Sequence, residues 1–341
     1  MSKQKIHFAV VGYGHIGKRH ATVIRNNPEC QLTAICDILP AAEVGKLPAK
    51  LPYYQNLGAM LSEKSEIEVV CICTPNGLHA AQAIECLEAG KHVVIEKPMG
   101  LTKAECEEVI FKSLNVNRRV FCVMQNRYSP PVRLLKDITE QGRLGDIFMV
   151  EINCYWNRDD RYYLPDGQRH AWHGSKELDG GVLFTQFSHF VDLLYWIFGD
   201  VTDIRTRTRN FMHEHTTEFA DSGVVSFDLV RGGTGCLTFS TAVYDRNFAS
   251  NITVIGSRGT IRIGGQYMDK VTYCHIADYE LPALAAVSPP NDYGGYKGSA
   301  ANHHYVIENV ADVLRDRTQT ATNALEGMKV TDIIERMYAA E

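Results

Sequence analysis

Short apolar segments alternate with amphipathic ones from the N-terminus to residue 126. The apolar segments are rich in Val, Ile and Cys and end at turn-forming or polar residues, which is typical of buried strands. Five of them predict strands: Phe8–Val11, Leu32–Cys36, Ile67–Cys73, His92–Ile95 and Val120–Met124. Helical spacing separates these runs, and Thr102 and Glu105 form a capping-box pattern at the start of one such segment. Strands that alternate with helices predict an α/β fold with a doubly wound parallel sheet.

A different pattern begins at residue 127. The strand predicted over Asp146–Trp156 is followed, between Val201 and His275, by further apolar runs that are separated only by turn signals. Strands that follow strands predict a mainly antiparallel sheet, and 281–299 predicts a long loop. The predicted helices of this half are 130–141, 182–198, 303–317 and 323–339. We therefore expect two domains, residues 1–126 and 127–341, the second of α+β type.

Three glycines follow the first predicted strand in the order G-x-G-x-x-G: Gly12, Gly14 and Gly17. The first permits a tight turn, the second lets the backbone approach a pyrophosphate, and the third lets the following helix pack on the strand. Asp37 ends the second strand about twenty residues later, where a carboxylate meets the ribose hydroxyls of a dinucleotide. The third strand ends in Thr74-Pro75-Asn76 at the same edge of the sheet. These features predict a dinucleotide-binding Rossmann domain, and NAD rather than NADP, because Asp37 would repel a 2′-phosphate.

Composition narrows the function classes. The chain has 341 residues, a formal net charge of −5, 45% apolar residues and 22% charged residues. The charge argues against a nucleic-acid partner, and no apolar run approaches the ~20 residues of a membrane span. The N-terminal M-S-K-Q-K precedes only a few apolar residues, so we expect a cytoplasmic protein rather than a secreted one. The ten cysteines are scattered, without C-x-x-C or zinc-ligand spacing, which predicts reduced thiols and no metal site.

Lys97 lies in Glu96-Lys97-Pro98, at the carboxyl end of the fourth predicted strand. Ligands of Rossmann domains bind at this edge of the sheet. An ammonium group there can hydrogen-bond a substrate hydroxyl and stabilise negative charge as that hydroxyl is oxidised. The alternative is a solvated lysine in a strand–helix loop.

Four motifs extend the pattern: G-Y-G-H-I-G-K-R-H-A, C-T-P-N-G-L-H, E-K-P-M-G and, at 179–192, D-G-G-V-L-F-T-Q-F-S-H-F-V-D. They resemble the glucose–fructose oxidoreductase/inositol dehydrogenase (Gfo/Idh/MocA) family. The resemblance covers essentially the whole chain. It implies an N-terminal NAD-binding Rossmann domain and a C-terminal domain with a large, mostly antiparallel open sheet that builds the substrate site and the contacts of a homo-oligomer, a tetramer or a dimer. The implied cofactor contacts are Gly12, Tyr13, Gly14, His15, Ile16, Gly17, Asp37, Ile38, Thr74, Pro75, Asn76, His79, Glu96, Lys97 and Asn126.

His189 matches the family's catalytic histidine. On a continuous helix, Thr185, Gln186 and His189 can share one face, and a neutral imidazole near pH 7 can accept the proton of an alcohol. A buried core histidine is the alternative. The chain departs from the family where many members have an aspartate at the position of Thr185 and a glycine at that of Phe187. We therefore expect Lys97 and His189 to share the proton work beside C4 of the nicotinamide, in an order that stays open.

The variant T-Q-F-S-H-F-V-D and the stretches N-C-Y-W-N-R and L-L-Y-W-I-F-G-D resemble the nucleotide-sugar branch of the family. That branch oxidises the C3 hydroxyl of UDP-N-acetylglucosaminuronic acid with NAD, in the biosynthesis of bacterial surface polysaccharides such as lipopolysaccharide. Aromatic side chains can stack on sugar or base rings, and arginines can bind carboxylate or diphosphate groups. The predicted substrate contacts are Arg127, Tyr155, Asn157, Arg158, Trp172, Thr185, Gln186, His189, Tyr296 and His303.

Two alternatives remain. One is an NAD-dependent dehydrogenase of a free sugar or polyol such as myo-inositol, and the other is a dinucleotide-binding regulator without catalysis. The presence of both Lys97 and His189 argues against the regulator, which needs neither. Whether NADH is released or is reoxidised in place by a 2-oxo acid also stays open.

Overall fold

The computed structural model describes residues 4–168, 170–292 and 297–341. It divides into two compact units. The first contains the described residues up to Met124 together with His303–Thr331, and the second contains Gln125–Asn302 and Asp332–Glu341.

The first unit contains a parallel sheet flanked by helices. Its strands are β1 (Ile6–Val11), β2 (Cys30–Cys36), β3 (Tyr53–Tyr54), β4 (Val69–Ile72), β5 (His92–Ile95) and β6 (Val120–Cys122). They lie in the order β3-β2-β1-β4-β5-β6, and every neighbouring pair is parallel. Its helices near the N-terminus are α1 (His15–Asn26), α2 (Leu57–Glu63), α3 (His79–Glu88) and α4 (Lys103–Asn115). The predicted doubly wound sheet and the capping box at Thr102 are confirmed.

The second unit contains a larger sheet. Its helices are α5 (Pro130–Glu140), α6 (Asp160–Tyr163), α7 (Val182–Thr185) and α8 (Ser188–Phe198). Its strands are β7 (Ile147–Tyr155), β8 (Val201–Arg209), β9 (Ser222–Leu229), β10 (Thr234–Ser240), β11 (Ala249–Gly256), β12 (Gly259–Gly264), β13 (Lys270–Ile276), β14 (Pro290–Asp292) and β15 (Lys297–Ala300). The large sheet has the order β13-β12-β11-β7-β10-β9-β8. It is mostly antiparallel, as predicted, with β10 and β7 parallel.

Helix α8 covers one face of this sheet. Trp156 follows β7 on the covered face, where its ring packs edge-on against Phe187 and Phe190 at centroid distances of 5.4 and 6.1 Å. Tyr155 lies on the opposite face and is only partly buried. Tyr155 and Trp156 point to opposite faces of the sheet because successive side chains along extended backbone alternate between the two faces.

The chain returns to the first unit near its end. Helix α9 (His303–Leu314) and the beginning of α10 (Ala324–Ala339) belong to that unit. The backbone of Cys122 in β6 donates a hydrogen bond to the carbonyl of Thr322 (3.0 Å). Met328 of α10 joins the core cluster between the sheet and its helices.

Two predicted elements were wrong. The helix expected over 182–198 divides into α7 and α8, because Gln186 and Phe187 interrupt it. Phe187 is fully buried, in contact with Trp156, Phe190 and Phe239. The break coincides with the packing of this ring. The apolar pattern of residues 182–198 is uninterrupted and therefore did not indicate a break. The loop expected over 281–299 contains β14 and part of β15.

The prediction of reduced cysteines is confirmed: none of the ten cysteines, all of which lie in the described ranges, forms a disulfide. In the described ranges, none of the helices combines the length and apolar character that crossing a membrane requires.

Candidate active site

The glycine turn has the geometry of a phosphate-binding loop. Gly12 has φ +83°, and a Cβ at that position would lie 2.6 Å from the carbonyl oxygen of Cys73. A Cβ on Gly17 would lie 1.9 Å from the carbonyl oxygen of Gly12. Both positions therefore require glycine. Gly14 differs, because a Cβ there would meet no atom within 4 Å, so the loop is open on that side. Its residues fit a dinucleotide pyrophosphate: His15, Ile16 and Gly17 begin α1, where helix N–H groups have no intrahelical acceptor.

Asp37 is held beside this loop. One carboxylate oxygen accepts a hydrogen bond from the backbone N–H of Tyr13 (2.6 Å), and the other accepts one from the backbone N–H of Leu39 (3.0 Å). The structure thus brings together two predicted cofactor residues, Tyr13 and Asp37, that are distant in sequence. Ile38, the next residue, is 82% exposed and can pack against a flat ring.

His79 connects the turns that follow β4 and β5. Its ring is buried, with Nδ1 2.7 Å from the carbonyl oxygen of Pro98 and Nε2 2.8 Å from that of Thr74. Burial lowers the pKa of His79, although both carbonyls favour the protonated ring. The turn that carries Thr74, Pro75 and the buried Asn76 is therefore tied to the turn that carries Lys97.

Glu96 lies among buried histidines. Its Oε1 is 2.7 Å from Nε2 of His20 and 3.5 Å from Nε2 of His303. His20 was not predicted from the sequence. It shares the buried face of α1 with Gly17, Ala21 and Ile24, and a histidine among such residues indicates a buried polar contact. His303 is fully buried in the first unit, with Nε2 3.5 Å from Glu96, and its predicted contact with the substrate stays a prediction.

His189 lies in the first turn of α8 and is 2% exposed. The common helix face predicted for it with Thr185 and Gln186 was wrong, because the helix breaks between them. Gln186 instead donates a hydrogen bond to the hydroxyl of Tyr162 (3.2 Å). The hydroxyl of Thr185 bonds to the carbonyl oxygen of Asp179 (3.0 Å) and contacts its carboxylate. The carboxylate of Asp179 accepts a hydrogen bond from the backbone N–H of Gly174 (2.8 Å), and Gly181 occupies the cap position of α7.

Arg158 lies between aromatic rings. Its guanidinium carbon is 5.0 Å from the ring centroid of Trp156 and 5.4 Å from that of Tyr162. The ring of Tyr162 stacks on His173 at 4.0 Å, and His173 stacks on His170 at 3.8 Å. Cation–π contacts of this kind hold an arginine in one orientation. Trp172, half-buried, meets His173 edge-on at 4.1 Å.

Arg127 forms a buried ion pair with Asp192. Its Nε and Nη2 lie 2.9 and 2.6 Å from the two carboxylate oxygens, and both side chains are almost inaccessible to water. The guanidinium also lies over the ring of Trp196, 5.1 Å from its centroid. Arg127 thus supports α8, the helix that carries His189.

The remaining predicted residues are dispersed. The hydroxyl of Tyr155 bonds to Thr238 (2.7 Å) on the sheet face opposite α8, and the side-chain amide of Asn157 donates to the carbonyl of Val243 (2.7 Å). Asn126 is buried in the turn at Gln125–Tyr128, and Tyr296 lies outside the described residues. Lys97 belongs to the first unit and His189 to the second, so their convergence stays a prediction.

Two family models match this chain, one in its N-terminal part and one in its C-terminal part. Residues 6–122 match the family model described as "Oxidoreductase family, NAD-binding Rossmann fold" (GFO_IDH_MocA), and residues 132–262 match the C-terminal domain of the same family. Inositol 2-dehydrogenase of Salmonella typhimurium is 27% identical over 197 residues, which are 56% of this chain and 54% of that protein. The chain spans about half the length of the curated relatives it matches, for example 51% of an uncharacterised oxidoreductase of Synechocystis.

Two solved structures resemble the whole chain. The WlbA dehydrogenase of Bordetella pertussis, crystallised with NADH and UDP-GlcNAcA, is 30% identical with a TM-score of 0.86 over 99% of this chain and 96% of that chain. The WlbA enzyme of Chromobacterium violaceum, with the same two ligands, is also 30% identical with a TM-score of 0.86, over 100% and 94% of the two chains. With both halves matched and a relative at this identity covered almost completely, the chain belongs to the Gfo/Idh/MocA oxidoreductase family, and its N-terminal unit is an NAD-binding Rossmann domain.

Proposed function

We propose that the protein is an NAD-dependent dehydrogenase that oxidises the C3 hydroxyl of UDP-N-acetylglucosaminuronic acid to the 3-keto sugar. The observation that carries the proposal is the similarity of the complete chain to two dehydrogenases crystallised with UDP-GlcNAcA and NADH. A nucleotide sugar of bacterial surface polysaccharide biosynthesis is the corresponding substrate class.

The chain's own groups suit this reaction. NAD supplies the hydride acceptor when it is bound. His189, as a neutral imidazole, accepts the proton of the C3 hydroxyl, and the ammonium of Lys97 stabilises the negative charge that develops on that oxygen. Gly14 and Asp37 bind the pyrophosphate and the ribose.

The cation–aromatic cluster at Arg158 supports a charged sugar nucleotide as substrate. Arg158 is 3% exposed and already oriented by Trp156 and Tyr162, so little side-chain entropy is lost when it binds a carboxylate or diphosphate. A neutral polyol requires no such guanidinium.

The open sheet face supports a homo-oligomer, either a tetramer or a dimer. Apolar side chains lie on the face opposite α8, on four different strands: Met149, Val224, Ile255 and Tyr273, which are 44%, 53%, 39% and 52% exposed. Exposed apolar side chains on an open sheet face, among them the directly paired Met149 and Ile255, favour a subunit contact. Size-exclusion chromatography with light scattering measures the state directly.

A substrate panel tests the function. We expect NADH formation, followed by its absorbance, with UDP-N-acetylglucosaminuronic acid and none with myo-inositol. Parallel reactions with 2-oxoglutarate distinguish release of NADH from its recycling in place. Activity with myo-inositol alone would favour the polyol dehydrogenase, and tight NADH binding without any turnover would favour the regulator.

Lys97→Met tests the assigned chemistry. The variant loses the ammonium but keeps the length of the side chain, so we expect turnover to disappear while NADH affinity changes little. Lys103→Met is the matched control, because its side chain is 46% exposed and pairs with Glu107 on the surface of α4. Full activity of Lys97→Met would contradict the proposed role.

A further inference from the structure

Glu96, His20 and His303 form a buried cluster that the proposed reaction does not itself use. The histidine side chains are 0% exposed and the Glu96 side chain is 6% exposed. The rings of the two histidines meet edge-on at 5.4 Å. Three distant segments contribute one residue each: α1, the end of β5 and the first turn of α9.

The cluster keeps Glu96 ionised inside the protein. Burial alone would raise the pKa of Glu96, but the hydrogen bond from His20 and the His303 ring 3.5 Å away hold that pKa well below its usual range. A carboxylate removed from water requires such donors. Burial lowers the pKa of His303, so its neutral ring can direct an N–H towards Glu96.

The second oxygen of Glu96 reaches the backbone of Lys97. Oε2 accepts a hydrogen bond from the Lys97 N–H (3.2 Å), while the carbonyl of the next residue, Pro98, lies 2.7 Å from Nδ1 of His79. The turn that carries Lys97 is therefore held at both ends. If Glu96 lost its histidine partners, it would rotate or take up a proton, and the first of these two anchors would be lost.

From this geometry we propose that His20 and His303 are positioning residues that act through Glu96 on Lys97, and so set where the ammonium meets the substrate. The inference rests on the proposed function, because it requires Lys97 to contact the reacting hydroxyl. His20 lies on the helix that follows the glycine turn, so the cluster also fixes the distance between that turn and Lys97. A misplacement of about 1 Å at a catalytic group can cost about a hundredfold in rate.

His303→Leu and His303→Gln test the role. Leucine removes the donor, whereas the glutamine amide can still donate to Glu96. We expect kcat of His303→Leu to fall by about tenfold to a hundredfold, with the NADH Kd and the sugar KM within about threefold of wild type. His303→Gln should recover most of the rate. His92→Gln is the matched control, because His92 begins β5, the strand that Glu96 follows, and accepts a hydrogen bond from the backbone N–H of Arg119.

Thermal unfolding of the apo-protein shows whether a fall in kcat results from a misplaced Lys97 or from a less stable fold. A His303→Leu variant that melts early and loses kcat and NADH affinity together would overturn the proposal, and so would equal activity of the leucine and glutamine variants. His20→Leu, which removes the donor on α1, provides a second measurement if His303→Leu does not fold. A fall in kcat with NADH affinity kept would support the proposal, and a loss of NADH affinity with unchanged kcat would contradict it. A stoichiometric divalent metal that is lost with His303 would identify a metal site and overturn it as well.

Wild type and Lys97→Met are measured in the same assay. Turnover that disappears in Lys97→Met but survives in His303→Leu overturns the positioning role alone. Absence of wild-type turnover overturns the proposed function, and this inference with it.

Discussion

Replacing Gly14 by alanine should separate cofactor binding from folding. Gly14 has φ −70° and ψ −159°, an extended conformation that alanine adopts readily, and its Cβ would enter open space. The apo-protein should therefore keep or slightly raise its stability, because Gly→Ala at a compatible position gains about 0.4–1 kcal/mol from the unfolded state. The new methyl group would lie where the pyrophosphate must approach the backbone. We expect NADH to bind about tenfold to a hundredfold more weakly, a loss of about 1.4–2.8 kcal/mol.

Gly17→Ala is the informative contrast. Its Cβ would lie 1.9 Å from the carbonyl oxygen of Gly12, a backbone atom that cannot move away without displacing α1. Overpacking of this kind costs about 1–3 kcal/mol. Thermal unfolding without ligand and NADH titration by fluorescence distinguish the two variants. Wild-type NADH affinity in Gly14→Ala would refute the assignment of this loop to the pyrophosphate, and a similar fall in Tm for both variants would refute the steric reasoning.

Three further substitutions test two buried carboxylates and a helix cap. Arg127→Met leaves Asp192 buried without its bidentate partner, so chemical denaturation should show a loss of about 3–5 kcal/mol; a loss below about 1 kcal/mol would contradict this. Burial alone would raise the pKa of Asp221. Hydrogen bonds from His213 and two backbone N–H groups outweigh this effect and hold the pKa below its usual value. The folded-state pKa is therefore below the unfolded value, so its contribution is complete above pH about 4 and is lost as the pH falls through the lowered pKa; Asp221→Asn should flatten that part of the stability–pH curve. Thr102→Ala removes a confirmed capping box and should cost about 1 kcal/mol by the same denaturation assay.

Local signals predicted the first unit well. The strand His92–Ile95 was predicted to the residue, because it is a β-branched run between a glycine-ended helix and a charged turn. The glycine turn and Asp37 could also be predicted. A Cβ at Gly12 or Gly17 would collide with the backbone, and Asp37 accepts a hydrogen bond from the backbone N–H of Tyr13.

Contacts between distant segments could not be predicted in this way. The break at Phe187 depends on the rings of Phe239 in β10 and Trp156 after β7. The hydrophobic pattern within 182–198 carries no information about these distant residues. The buried position of His303 beside Glu96 could not be predicted either, because it depends on α9 packing in the first unit. Tyr155 and Arg158 were grouped by sequence proximity, although strand alternation places Tyr155 on the opposite face of the sheet from Trp156, over which the Arg158 guanidinium lies.

The return of α9 and α10 to the first unit has a consequence for how the chain matures on the ribosome. Glu29 pairs with Arg317 (2.7 Å), and the Cys122 strand bonds to Thr322, so residues made early wait for partners that are made much later. The cofactor-binding half must therefore remain incomplete until some two hundred later residues have emerged, roughly ten to forty seconds at typical elongation rates. A fragment that stops before His303 would expose the apolar surface that Met328 covers, and it should depend on chaperones or aggregate rather than bind dinucleotide.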